Sequence, residues 1–140
     1  MLLLHHFFRY STASLFLAPL GISFLLATIS PAPVITIAIA ALACELLSTL
    51  IFGSMIVVFS IPFFVQWLMK NPEVGITWKF FFTTFLCVTL QIIAIIIAKT
   101  GLHAPALQSI PFGIIGIQLA CTSIITYVIT VAFHEYTSRL

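Results

Sequence analysis

The sequence predicts an all-α, polytopic membrane protein, with four transmembrane helices in an antiparallel bundle and one domain over residues 1–140. Three observations predict it. Of the 140 residues, 62% are hydrophobic and 6% charged, against roughly 45–50% and about 25% in soluble domains. So few charges cannot cover a water-facing surface. The apolar residues gather into four runs near the roughly 20 residues that cross hydrocarbon as a helix. Within the runs apolarity is continuous, whereas the strands of a membrane barrel alternate with period two.

The first run extends from about residue 12 to 29 and stops at Ser30-Pro31-Ala32-Pro33. Two prolines remove backbone donors and restrict the residues before them, so a tight turn into an antiparallel neighbour is expected. Arg9, the apolar run and the small residues near Ser30 give this region the outline of a secretory signal. The segment before the run is itself oily (Leu2, Leu3, Leu4, Phe7, Phe8) and the run is long for a cleaved one, so a retained helix is expected.

The second run covers about 34–59, before Pro62 disturbs the helix. Phe63 to Met69 is then expected to lie along the interface as a short helix. The third run covers about 78–98. The fourth covers about 111–133 and starts with Pro111, whose missing donor costs nothing in a first turn.

With four crossings, the amino end, the 60–77 connection and the carboxyl end share a side. That side carries Arg9, Lys70, Lys79 and Arg139, against Lys99 on the other. The positive-inside rule then places both termini in the cytoplasm, or in the matrix or stroma of an organelle. Tyr10, Trp67, Trp78 and Tyr136 fall at the same boundary, as an aromatic belt does.

Glu45 is the sharpest chemical feature. The midpoint of a helix over 34–59 lies between residues 46 and 47, which puts Glu45 within about 2–3 Å of the bilayer centre along the axis. A charged side chain there costs at least about 2.5–3.5 kcal/mol, so the group must be neutral, paired, or turned toward protein or water. Such an acid is the usual start of a proton or cation pathway. The plainer alternative is a hydrogen bond that glues two helices, with Ser48 and Thr49 on the same face.

Counting inward from the uncharged side, Gln91, Gln118 and Thr122 reach comparable depths and complete a polar layer with Glu45. Thr83, Cys87 and Gln91 recur every four residues, as do Gln118, Thr122 and Thr126. Each trio keeps to one helix face and fits interhelical hydrogen bonding. Gly113, Gly116 and Ala120 form a small-residue face suited to close helix approach, within the chain or with another subunit.

Other chemistry is poorly supplied. Cys44, Cys87 and Cys121 share a depth, but Cys44 and Glu45 point about 100° apart and do not converge on one metal. His5, His6 and His134 sit near the charged interface and His103 on the opposite side, so no metal site and no cofactor are expected. There is no Gly-rich phosphate loop, no nucleophile beside a base, and no Asp in the chain. Asn71 precedes Pro72 and offers no glycosylation acceptor. A net charge of +2 without basic clusters argues against nucleic-acid binding.

The expected role is an accessory or structural subunit packed in the bilayer against larger membrane subunits or a second copy of itself. The alternative is a proton- or cation-coupled transporter of small molecules, a homo-oligomer working through Glu45. A lipid-modifying membrane enzyme stands third, without a catalytic constellation to support it.

Overall fold

One proline pair, two left-handed glycines and a threonine cap divide the described chain into helices. The computed structural model describes residues 18–47, 52–70, 73–101 and 112–140, and each regular element among them is an α-helix. These are α1 (Ala18–Ile29), α2 (Pro33–Leu47), α3 (Ser54–Leu68), α4 (Trp78–Thr100) and α5 (Phe112–Ser138). The first expected run, 12–29, is described from Ala18 onward. Ser48, Thr49, Pro111 and the basic and aromatic residues before Ala18 lie outside the described residues, as does His103.

Pro33 opens α2 at a position that needs no backbone donor. The α1–α2 turn is pinned by Thr36, whose hydroxyl lies 3.1 Å from the Ser30 hydroxyl and 3.1 Å from the Ala32 carbonyl. Thr77 caps α4 by accepting the Phe80 amide at 3.2 Å. Gly101, at φ 59°, closes α4 and donates its amide to the Ile97 carbonyl.

The second run departs from expectation. It is not one helix over 34–59: α2 ends at Leu47, Gly53 adopts φ 92°, and α3 begins at Ser54. Only glycine takes that conformation without a Cβ penalty. The chain also folds back, because the Glu45 side chain reaches the amides of residues 53 and 55. In a continuous helix those residues lie about 12–15 Å away along the axis. The expected interfacial segment is likewise absorbed, since α3 runs through Pro62 to Leu68. At the other end, the Gln66 amide donates to the Thr28 hydroxyl at 3.2 Å, which puts the last turn of α3 beside that of α1.

The helix directions follow. α1 and α3 point the same way, and α2 and α4 point oppositely. Tyr127 of α5 packs edge-on against Phe81 near the start of α4, and its hydroxyl reaches the Gly75 carbonyl at 3.5 Å, so α5 is antiparallel to α4. Ala18 and Leu140 therefore stand at opposite ends of the bundle. The expectation that both termini share a side rested on the second run crossing once, and the reversal removes that ground.

One apolar cluster joins the first four helices through Leu20, Ile37, Ala41, Met55, Phe59 and Ile92. A second joins Phe24, Val65, Phe80, Cys87 and Val131. α4 and α5, at 23 and 27 residues, are long and apolar enough to cross a membrane. The other three helices are apolar but shorter.

Candidate functional site

The polar centre of the molecule is built around backbone groups of α3 that have no partner within their own helix. A helix leaves its first amides unpaired. At the start of α3 the Glu45 carboxylate supplies acceptors for two of them. Oε1 accepts the Gly53 amide at 2.8 Å and Oε2 the Met55 amide at 2.9 Å. The positive end of the helix dipole favours an acidic group in that place. Glu45 is 7% exposed, whereas the chain's other acids, Glu73 and Glu135, are exposed. It sits two residues from the end of α2, at the closed end of a helical hairpin, and not at the midpoint of a spanning helix. Ser54, the first residue of α3, buries its hydroxyl there without a partner.

About one turn further on, α3 has a second vacancy in its ladder. Pro62 has no N–H, so the Val58 carbonyl loses its i+4 donor. The Gln91 side chain provides one: Nε2 donates to the Val58 carbonyl at 3.1 Å and to the Ser23 hydroxyl at 2.7 Å. Ser23 in turn donates to the Leu20 carbonyl at 2.7 Å, so its oxygen is free to accept from Gln91. One amide group thus ties α1, α3 and α4 together at a fully buried position. The donor that Pro62 removes is thereby replaced, and α3 continues through the proline to Leu68. Gln91 Oε1 remains buried and unpartnered.

Of the expected polar layer, the structure gathers Glu45 and Gln91 on the backbone of one helix. Gln118 and Thr122 are buried on the inner face of α5. Gly113, Gly116 and Ala120 are exposed, and a Cβ built at either glycine meets nothing within 4 Å. Their small-residue face makes no close helix contact among the described residues. Cys87 is buried and Cys44 and Cys121 half-buried, all three as free thiols. His134 is exposed near the end of α5.

Ser23 and the Val58–Pro62 pair did not stand out in the sequence. A signal for the pair was present: a proline inside an apolar run implies an orphaned carbonyl four residues earlier, and few side chains in such a sequence can donate to it. Ser23 carried no comparable mark.

No protein-family model, no curated protein and no solved structure matches the chain.

Proposed function

We propose that this chain is a small multi-pass integral membrane protein serving as an accessory or structural subunit of a larger membrane complex. The observation that carries the structural role is the double hydrogen bond at Glu45. The one buried acid is engaged at both oxygens in holding the start of α3, an arrangement that favours a fixed joint over a site that exchanges protons or cations.

The membrane reading is supported by the polarity of α5, which is reversed relative to a helix in water. Its buried residues are Gln118, Thr122, Ser123, Thr126, Thr130 and Val131. Ile117, Ile124, Val128, Ile129 and Phe133 face outward. Hydrocarbon accepts such an exterior, which water does not.

In this reading α4 and α5, about 34 and 40 Å long, cross a hydrocarbon layer of about 30 Å. α2 and α3, each about 22 Å long, form a hairpin that enters and leaves by one face. That face carries Lys70, Lys79 and Arg139, against Lys99 at the far end of α4 among the described residues. The positive-inside rule turns it to the cytoplasm, matrix or stroma. The carboxyl terminus lies on the same face.

A subunit needs a face left over for its partner, and the Gly113–Gly116–Ala120 surface, uncovered among the described residues, is suited to a second helix. Gly116→Leu is expected to leave this chain folded, because the new side chain points into open space, while stripping larger partners from the protein purified in mild detergent. Mass spectrometry of co-purifying proteins reads the result. Partners retained at full stoichiometry by the folded variant count against this face as the interface. A parent protein that purifies only as a homodimer favours the transport reading instead.

A further inference from the structure

Where α4 begins, the chain borders an open cleft of about 340 Å³, a size in the roughly 300–1,000 Å³ range of small-ligand pockets. Ile76, Thr77, Trp78, Phe81 and Tyr127 line it. Three of the five are aromatic and none carries a formal charge. Phe81 stands at 88° to Trp78 and at 84° to Tyr127, with centroids 6.1 and 5.3 Å apart. Rings stacked face to face cover one another, whereas rings set at right angles leave faces free for a guest. Tyr127 is fixed from behind by buried Phe80, 5.9 Å away between centroids.

Aromatic faces attract cations, and the polar atoms around the cleft select which kind. The Thr77 hydroxyl oxygen accepts the Phe80 amide, and the Thr77 carbonyl accepts the Phe81 amide. The Gly75 carbonyl accepts the Thr77 amide and the Tyr127 hydroxyl. An ammonium that bears N–H groups gives up its hydrogen bonds to water here and finds its acceptors already engaged. A quaternary ammonium has no N–H to satisfy, so it keeps the attraction of the rings without that cost.

We infer that this cleft is an aromatic cage for a quaternary ammonium group, supplied by the head group of a choline lipid. Ile76 and Trp78, 79% and 86% exposed, stand at the end of the bundle that carries Lys70, Lys79 and Arg139, where head groups and not acyl chains lie. The lipid source rests on the membrane reading above. The cage itself does not.

The test labels the full chain with 5-fluorotryptophan in maltoside micelles and titrates it with tetramethylammonium. The chain has two tryptophans, and Trp67 lies outside the cleft as an internal control. The Trp78 fluorine resonance is expected to shift saturably while that of Trp67 stays, and ammonium or sodium at equal ionic strength is expected to move neither. Phe81→Leu and Tyr127→Leu are each expected to weaken binding by about 2- to 30-fold, and Phe81→Tyr, which keeps the ring, to retain it. In phosphatidylcholine discs Trp78 is expected at its bound position and insensitive to added tetramethylammonium, while in phosphatidylglycerol discs it titrates. Equal titration in both discs overturns the lipid source and leaves the cage. A parent whose Trp78 responds no more to tetramethylammonium than to ammonium or sodium overturns the cage, whether or not the variants fold. So do folded leucine variants that bind as tightly as the parent.

Discussion

Gln91→Leu is expected to destabilise the protein by about 2–3 kcal/mol, and Pro62→Ala is expected to remove most of that penalty. Leucine has similar volume and suits the surroundings, so packing contributes little to the loss. The cost comes from the buried Val58 carbonyl and Ser23 oxygen left without a donor, each worth about 1–3 kcal/mol, partly offset by deleting the unpartnered Gln91 Oε1. Alanine at position 62 restores a backbone N–H to the Val58 carbonyl, so the bond to Gln91 becomes dispensable. A double-mutant cycle followed by denaturant unfolding in micelles measures the coupling. An equal cost for Gln91→Leu in both backgrounds rules out the proline-compensating role.

Glu45→Leu is expected to cost about 2–4 kcal/mol, through two amides orphaned in an apolar setting at about 1–3 kcal/mol each. Glu45→Gln retains one acceptor oxygen and is expected to lose about half as much while keeping the hairpin closed. Amide hydrogen exchange localises the effect. Protection at Gly53 and Met55 falls first, because those amides are the ones released. The same pair of variants separates the functional readings. If Glu45→Gln assembles normally yet abolishes a proton- or cation-linked flux, the structural role assigned to this acid is wrong.

The helical class and the places where helices stop were legible in the sequence to different degrees. Prolines at 31 and 33 marked where α1 stops and α2 starts, and the third and fourth apolar runs fall on α4 and α5, although α5 continues to Ser138, past the expected end near 133. The reversal at Gly53 was not legible. A lone glycine in an apolar run is compatible with an unbroken membrane helix, and hydropathy is blind to direction. What turns the chain is a contact across eight and ten residues, from Glu45 to Gly53 and Met55, which composition does not encode.

The same blindness explains the depth assigned to Glu45, which assumed an unbroken helix from 34 to 59. Pro62 misled in the other direction. Read alone it breaks a helix, whereas the Gln91 amide from α4 supplies the Val58 carbonyl with the donor that Pro62 removes, and α3 continues through it. Gly113, Gly116 and Ala120 were recognisable as a small-residue face, but which way that face points depends on packing that periodicity among uniformly apolar residues does not reveal.

The distance between the outer ends of α2 and α3 tests the hairpin most directly. Spin labels at Ile35 and Trp67, both well exposed, in a chain with Cys44, Cys87 and Cys121 replaced by alanine, report it by pulsed electron resonance in bilayers. Neighbouring antiparallel helices 8–10 Å apart place the labels under about 25 Å from each other. A distance near 48 Å, the span of an unbroken helix between those positions, contradicts the hairpin and with it the role of Glu45 as its clasp.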